Sequence, residues 1–122
     1  MAAWRTPLYD IAQVCALAGQ AGATAVEVSY RDTEHIALAR DCTYPDAVQF
    51  AATTIASGLC LEHFSETIRD MTPPYDVYCL PAEGTMWYVK LAVVAGGAKL
   101  HVVSFHRPLR TMNTNAERKR DL

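Results

Sequence analysis

Residues 86 to 108 read MWYVKLAVVAGGAKLHVVSFHRP, and this stretch decides the fold that we expect for the chain. Apolar and polar side chains alternate from Trp87 to Val93, the pair Gly96-Gly97 interrupts the alternation, and a second apolar run extends from Leu100 to Phe105. Alternation with a period of two on both sides of a glycine pair is typical of a β-hairpin. The stretch therefore predicts two strands that pair with each other.

The register of this hairpin follows from its loop. A three-residue loop of Gly96, Gly97 and Ala98 places Ala95 opposite Lys99. Moving away from the loop, the facing pairs are then Leu91 with Val103, Lys90 with Ser104, Val89 with Phe105, and Tyr88 with His106.

This register separates apolar from polar side chains. One face is expected to enter the core and carries Trp87, Val89, Leu91, Val93, Val103 and Phe105. The other face carries at its open end Tyr88, Lys90, Ser104 and His106. A slip by one residue would place His106 beside Trp87 and mix the two sets, so we prefer the register of the three-residue loop.

Length and composition limit the class of protein. The chain has 122 residues, 51% of them apolar, which suffices for one domain with a sizeable core but not for two. No run approaches the roughly 18 apolar residues of a membrane span, and the N-terminal residues lack the layout of a secretory signal. The cysteines form no CxxC pair, and Cys60-x-x-His63 has no matching second pair. We therefore predict a cytoplasmic protein with reduced cysteines, no metal and no membrane partner.

The net charge of −2 conceals an uneven distribution of charged residues. Residues 1 to 89 contain four Lys/Arg and eleven Asp/Glu, whereas residues 90 to 122 contain seven Lys/Arg and two Asp/Glu. A polyanion would therefore meet the C-terminal part of the chain first. The alternative is that the run Arg118-Lys119-Arg120 is only a solvated tail.

The order of the remaining elements indicates the fold class. The expected segments are a helix from Pro7 towards Gly19, a short strand from Ala23 to Tyr30, a weak helix from Asp32 to Arg40, a helix from Thr43 to Gly58, a helical segment from Leu61 to Ile68 and a strand from Tyr75 to Leu80. This order predicts an α+β domain over residues 1 to 108, in which N-terminal helices pack on one face of an antiparallel sheet. Residues 109 to 122 are polar and basic, and we expect them to form a mobile tail.

Reactive side chains are concentrated at the open end of the hairpin. The chain has no glycine-rich phosphate loop, no GxSxG and no metalloprotease helix. His106 can exchange a proton near neutral pH, and Tyr88 can donate a hydrogen bond or stack on a base. Lys90 and Arg107 can hold an anion. These groups suit metal-independent RNA cleavage, in which the ribose hydroxyl attacks the adjacent phosphate. The alternative is that His106 is an ordinary residue at a strand end.

Three segments of the chain resemble one known family. RTPLYDIAQV at residues 5 to 14, DVY at 76 to 78, and YVKLAVV followed by VVSF within residues 88 to 105 have the order and spacing seen in MqsR, the motility quorum-sensing regulator toxins, which resemble RelE-type mRNA interferases. The resemblance covers about residues 4 to 107. It implies a RelE-like α+β ribonuclease fold, cleavage of messenger RNA without a cofactor, and inhibition by the cognate antitoxin of a type II toxin-antitoxin system.

The functional positions of this family carry over in part. Its tyrosine and the lysine two residues later match Tyr88 and Lys90. Where the family has a lysine implicated in catalysis after its SF pair, this chain has His106 followed by Arg107.

Two further family positions are substituted. Glu66 replaces a lysine that the family carries on a helix, and Tyr75 replaces a glutamine that precedes DVY. A glutamate near the scissile phosphate repels it unless the glutamate serves as a base. Glu66 therefore either forms a base and acid pair with His106 or is an exposed helix residue in a poorly cleaving member.

The resemblance and the residue types together give one assignment. The catalytic residues are expected to be Tyr88, His106 and Glu66, and the RNA contacts Lys90, Arg107, Tyr75 and Arg110. Messenger RNA and an antitoxin protein are the expected partners. The alternative is a catalytically silent member of the same fold that binds protein or RNA.

Overall fold

The structure is a computed structural model that describes residues 4 to 120, except for the side chain of Arg120. Its strands are β1 (Val26–Val28), β2 (Phe64–Ile68), β3 (Tyr75–Ala82), β4 (Thr85–Val94) and β5 (Lys99–His106). Its α-helices are α1 (Ile11–Ala18), α2 (Tyr30–Arg40), α3 (Tyr44–Gly58) and α4 (Asn115–Arg120). In this part of the chain, no helix is long and apolar enough to cross a membrane.

The five strands form one open sheet in the order β1-β5-β4-β3-β2. Strands β2 to β5 pair antiparallel, but β1 runs parallel to β5, with Val26 opposite Leu100 and Val28 opposite Val102. The predicted α+β class is confirmed, whereas the prediction of a purely antiparallel sheet was wrong. Strand β1 can run parallel to β5 because two helices, rather than a tight turn, follow β1 before the chain returns to the sheet.

The hairpin of β4 and β5 has the predicted pairing at its open end but not near its loop. Tyr88 lies opposite His106, Val89 opposite Phe105 and Lys90 opposite Ser104, as predicted. Near the loop, Val94 rather than Ala95 lies opposite Lys99, and Leu91 lies opposite Val102 rather than Val103.

A β-bulge at Val103 connects these two registers. The loop contains four residues, Ala95 to Ala98. The backbone angle φ is positive at three of them, Ala95, Gly96 and Gly97. This longer loop shifts the pairing by one residue. The bulge shifts it back, because Val103 is an extra residue of β5 opposite the step from Lys90 to Leu91 on β4. As a consequence, Val102 is fully buried in place of the predicted Val103, which is only partly buried.

Helices α1, α2 and α3 cover one face of the sheet, as predicted. The largest fully buried side chains between these layers include Val14, Ile36, Ile55, Leu80, Val89, Leu91, Leu100, Val102 and Phe105. Next to them, the rings of Phe50, Trp87 and Phe105 form an aromatic cluster with centroids 5.2 to 6.0 Å apart.

Helix α2 is fixed to the open end of β5 by a buried carboxylate. The helix begins at Tyr30, which the sequence pattern had assigned to the preceding strand, because Ser29 accepts a hydrogen bond from the backbone of Asp32 and caps the helix. Asp32 is 1% exposed, and its Oδ1 accepts a hydrogen bond of 3.0 Å from the backbone N–H of Phe105. The backbone that presents His106 is therefore tied to α2.

The segment from Leu61 to Ile68 is not helical, contrary to the prediction. A short 3₁₀ turn over Leu61–His63 leads into the edge strand β2, in which Glu66 pairs with Val77. Leu61, Phe64 and Ile68 have helical spacing, but pairing with β3 satisfies the backbone and buries Phe64 against Tyr78, with ring centroids 5.3 Å apart. Glu66 is thus an exposed residue of a strand rather than of a helix.

The predicted mobile tail is instead folded onto the domain. We call residues 109 to 120 the C-terminal segment; Asp121 and Leu122, which belonged to the predicted tail, lie outside the described residues. Asn115 is fully buried, and its amide donates hydrogen bonds to the carbonyl oxygens of Arg5 and Leu61. The side chain of Arg118 is 3% exposed. Composition alone indicated disorder, but these polar residues are ordered by backbone partners.

Candidate active site

A cavity of about 620 Å³ lies on the sheet face opposite helices α1 to α3; we call it the first cavity. Its floor comes from three strands, which place there Ser65, Glu66, Tyr88, Lys90, Ser104 and His106. Arg5 and the C-terminal segment form the remaining wall, which contains Leu109, Arg110, Thr111, Met112, Asn113 and Arg118. Alternation along β4 and β5 explains the floor, because Val89 and Phe105 point into the core between these polar residues.

Tyr88 and His106 are in direct contact in the first cavity. They face each other across β4 and β5, and their rings are stacked with centroids 5.0 Å apart and planes inclined by 10°. The bulge at Val103 makes this contact possible, since the register near the loop, if continued, would pair His106 with Trp87.

The hydrogen bond of His106 fixes the tautomer of its neutral ring. Nδ1 lies 2.8 Å from the carbonyl oxygen of Arg107. Because a carbonyl oxygen can only accept, Nδ1 carries the hydrogen, and Nε2 of the neutral ring keeps its lone pair. The imidazole is thereby prepared to take a proton at Nε2.

The hydroxyl of Tyr88 is kept protonated by its surroundings. Burial raises the pKa of Tyr88, the carboxylate of Glu66 raises it further, and Arg110 acts in the opposite direction. Tyr88 is therefore a hydrogen-bond donor rather than a base in this cavity.

Positive charge dominates the first cavity. Its described lining contains four cationic side chains, Arg5, Lys90, Arg110 and Arg118, but one carboxylate, Glu66. A phosphodiester entering the cavity would replace water around these cations and pair with them, as anions do in basic clefts.

Arg118 holds the wall of the cavity in place. Its guanidinium donates hydrogen bonds to the carbonyl oxygens of Ser65 at 2.5 Å and Asn113 at 2.8 Å, and to Oδ1 of Asn115 at 2.9 Å. Burial lowers the pKa of Arg118, and the positive charge of Arg5 lowers it further, while Glu66 acts in the opposite direction. The side chain thus joins β2 to the C-terminal segment and adds positive charge beside Glu66.

The N-terminal residues are fixed to the sheet by another buried carboxylate, Asp76 of β3, which pairs with Leu91 and so lies on the face of the helices. Asp76 is fully buried and accepts hydrogen bonds from the backbone N–H groups of Leu8 and Tyr9 and from the hydroxyl of Thr67. Arg5 in turn donates its backbone N–H to Oδ1 of Asn115. These contacts bring Arg5 to the cavity, 83 residues before Tyr88 in the chain.

The structure brings five of the seven predicted site residues to the first cavity, namely Glu66, Tyr88, Lys90, His106 and Arg110. Two of the predicted RNA contacts lie outside this cavity, and their part in RNA binding stays a prediction. Arg107 lies on the other side of the sheet, since it follows His106 directly and alternation turns it away. Tyr75 is buried and contacts Lys90, whose Nζ lies 5.9 Å from the ring centroid, instead of lining the cavity.

Arg5 and Arg118 are the charged residues of the cavity that the sequence reasoning missed. A usable signal existed for Arg118, because Thr114-x-x-Glu117 has the spacing of a helix capping box and indicates an ordered element. No local pattern indicates Arg5, whose position depends on contacts between distant segments.

The described residues contain no group of three or more His, Cys, Asp or Glu side chains arranged to hold a metal ion. Of the two residues with a metal-like spacing, Cys60 precedes the 3₁₀ turn before β2 and His63 is the last residue of that turn.

Comparisons of the chain with protein-family models, with curated proteins and with solved structures gave no match.

Proposed function

We propose that this protein is a metal-independent RNA endonuclease whose active site is the first cavity. The observation that carries the proposal is the stacked pair of Tyr88 and His106 on a floor surrounded by cationic side chains. A proton acceptor, a proton donor and positive charge are what cleavage by the neighbouring ribose hydroxyl requires.

The reaction assigns each proton to one residue. His106 Nε2 takes the proton of the ribose 2′-hydroxyl as its oxygen attacks the adjacent phosphorus. The bond from phosphorus to the 5′-oxygen breaks, and the hydroxyl of Tyr88 supplies the proton to this leaving oxygen. The products are a 2′,3′-cyclic phosphate and a 5′-hydroxyl end, and the proton returns from His106 to Tyr88 through solvent. Lys90 and Arg110 stabilise the negative charge on the phosphorane.

Glu66 has a secondary part in this scheme. Its carboxylate is close enough to raise the pKa of Tyr88, which keeps the donor protonated between turnovers. The same charge opposes the approach of a phosphate, so Glu66 lowers RNA affinity unless it acts as the base in place of His106.

The wider role that we propose is that of a toxin in a type II toxin-antitoxin system. The MqsR-like segments support this role and suggest messenger RNA as substrate, a RelE-like fold, a cytoplasmic location and an antitoxin protein as partner. The carboxylate of Glu66 in the cavity favours the second candidate, a catalytically silent member that binds protein or RNA.

The decisive experiment is cleavage of a short single-stranded RNA by the purified protein in the presence of a chelator. We expect cyclic-phosphate ends with the wild type, and no cleavage when the nucleotide 5′ to the cut carries a 2′-deoxyribose. His106→Ala and Tyr88→Phe should each lose activity. His101→Ala is the matched control, because His101 lies on the same strand but outside the cavity. Mapping of RNA ends after induced expression would then identify the cellular substrate.

Two results would contradict the proposal. Cleavage of the 2′-deoxy substrate would show that the ribose hydroxyl is not the nucleophile. Absence of cleavage, combined with harmless expression in cells, would favour the silent binding module.

A further inference from the structure

A second cavity of about 490 Å³ lies at the same end of the sheet as the first, but on the side of the helices. Its walls come from the ends of β4 and β5 and from α2, and they include Arg31, His35, Trp87, His106, Arg107 and Leu109. His106 and Leu109 also line the first cavity. The two cavities therefore meet at His106, around the end of β5.

The inner wall of the second cavity is aromatic and rigid. Trp87 is 6% exposed, and its ring packs on Phe50 and Phe105 at centroid distances of 5.7 and 5.2 Å. Its Nε1–H is buried and has no hydrogen-bond partner among the described residues. The wall therefore offers a ligand an aromatic surface rather than a polar contact.

The outer part of the second cavity combines an apolar side chain with positive charge. Leu109, which lines this cavity, is 92% exposed, and Arg31, His35 and Arg107 are also exposed. The carboxylate of Asp32, which also lines this cavity, is already occupied by the backbone of Phe105 and the hydroxyl of Ser29. With the two guanidinium groups of Arg31 and Arg107 against this one carboxylate, the net charge of the lining is positive.

We propose that the second cavity binds one unstacked nucleobase of the RNA strand, the base next to the phosphate held in the first cavity. This inference rests on the proposed ribonuclease function and adds a specificity subsite to it. A flat aromatic ring fits an apolar cavity whose rim carries guanidinium groups, since these groups stack on bases and pair with the flanking phosphate. The strand would cross from one cavity to the other past His106, which both cavities share.

Arg107 has a defined role in this arrangement. The resemblance suggested a phosphate contact beside His106, but Arg107 lines the second cavity and not the first. Its carbonyl oxygen accepts the hydrogen bond from Nδ1 of His106. Arg107 thus orients the imidazole through its backbone, and we assign its side chain to the bound base.

The fluorescence of Trp87 provides a direct test without catalysis. The chain has two tryptophans, and Trp4→Phe leaves Trp87 as the reporter. Trp4 lies outside both cavities, where its ring is near Lys119. Nucleoside 5′-monophosphates should change the Trp87 emission in a saturable manner, with different affinities for different bases, whereas inorganic phosphate alone should not.

Substitutions should localise this binding. In the Trp4→Phe background, Arg107→Ala should weaken nucleotide binding by about tenfold or more, the loss expected for one base-stacking contact. Lys99→Ala is the matched control, because it removes a cation at the opposite, loop end of β5 and should leave binding unchanged.

The outcomes separate this inference from the proposed function. If the wild type cleaves RNA but no nucleotide changes the Trp87 emission, or if Lys99→Ala weakens binding as much as Arg107→Ala does, the base site is wrong and the nuclease proposal stands. If nucleotides bind with the predicted dependence on Arg107 but RNA is never cleaved, the base site is supported and the nuclease proposal fails.

Discussion

At the scale of single residues, Tyr88 and His106 determine which proton transfers are possible in the first cavity. Nδ1 of His106 is committed to the carbonyl oxygen of Arg107, and the raised pKa of Tyr88 keeps its hydroxyl protonated. One ring therefore accepts a proton at Nε2 while the other donates one. In the proposed reaction, stacking at 5.0 Å would keep both rings within reach of one phosphate.

Replacement of His106 tests this division of roles. His106→Ala should lower the rate of cleavage by about a hundredfold or more, the usual contribution of a positioned proton-transfer group, with little change in RNA affinity. His106→Lys restores the residue of the resembling family and a positive charge, but not a group that readily exchanges protons at neutral pH. Single-turnover kinetics of both variants, with His101→Ala as control, would measure the effect. A fully active lysine variant would mean that His106 acts through charge alone.

Tyr78 offers a test of stability at the same scale. Its side chain is fully buried, and its hydroxyl has no hydrogen-bond partner among the described residues. Tyr78→Phe removes this unsatisfied group and should raise the free energy of unfolding by about 1 kcal/mol. Urea unfolding near pH 7 would measure the change. A decrease of similar size in the free energy of unfolding would show that the Tyr78 hydroxyl forms a hydrogen bond in solution.

Tyr78 should also make the stability of the protein depend on pH in the alkaline range. Burial raises the pKa of Tyr78, and the carboxylate of Asp76 adds to the shift. A raised pKa in the folded state means that the unfolded chain loses the proton first, so the contribution of Tyr78 to stability is complete below about pH 10 and falls as the pH rises further. Burial also raises the pKa of Tyr9 and Tyr88, so the decline in Tyr78→Phe should be smaller but not absent. Unfolding curves at about pH 8 and about pH 11 would compare the two proteins.

At the scale of elements, the C-terminal segment is part of the site. Arg118 connects it to β2, and Asn115 connects it to Arg5 and Leu61. The segment supplies one wall of the first cavity, and Leu109 is common to both cavities. Its docking therefore affects both the stability of the fold and the shape of the first cavity.

Arg118→Ala should lower the free energy of unfolding by about 2 to 4 kcal/mol, because it leaves several buried acceptors without a donor. Lys119→Ala, which removes an exposed cation one residue later, should change it by less than about 0.5 kcal/mol. Truncation after Pro108 should lower the free energy of unfolding by at least as much as Arg118→Ala does. Removal of a mobile tail would leave the free energy of unfolding nearly unchanged. Thermal and chemical unfolding of the three variants would measure these differences. Equal stability of the truncated and complete proteins would show that the segment is not docked in solution.

At the scale of the whole molecule, a chain with net negative charge presents a basic cavity. The net charge is −2, yet four cations and one carboxylate occur among the described residues that line the first cavity. The carboxylates of Asp32 and Asp76 are buried, accept hydrogen bonds from backbone donors and do not line the first cavity. The field that an approaching polyanion meets is therefore local rather than global.

Salt dependence of RNA binding tests this arrangement. If Lys90 and Arg110 each contact a phosphate, Lys90→Ala and Arg110→Ala should each reduce the slope of log K against log salt by about 0.7, the value for one phosphate of a single strand. Lys99→Ala, at the loop end of the hairpin, should leave the slope unchanged. Titrations of labelled RNA between about 50 and 200 mM salt would measure it. Equal slopes for all three variants would mean that binding does not use this cavity.

The pairing of Tyr88 with His106 was predicted, but in the structure it depends on the bulge at Val103, which no sequence pattern indicated. Local sequence patterns were sufficient to predict the hairpin, the helix capped by Thr43 and the α+β class. These features follow from local rules, since alternation, glycine pairs and capping residues act over a few residues. The tertiary structure alone decided the rest. Pairing with β3 turned a helical pattern into β2 and placed Glu66 beside Tyr88. Backbone acceptors far along the chain ordered Asn115 and Arg118, and with them a wall of the cavity that composition had assigned to a mobile tail. Partners that satisfy a buried polar group come from distant segments, and no local pattern encodes them.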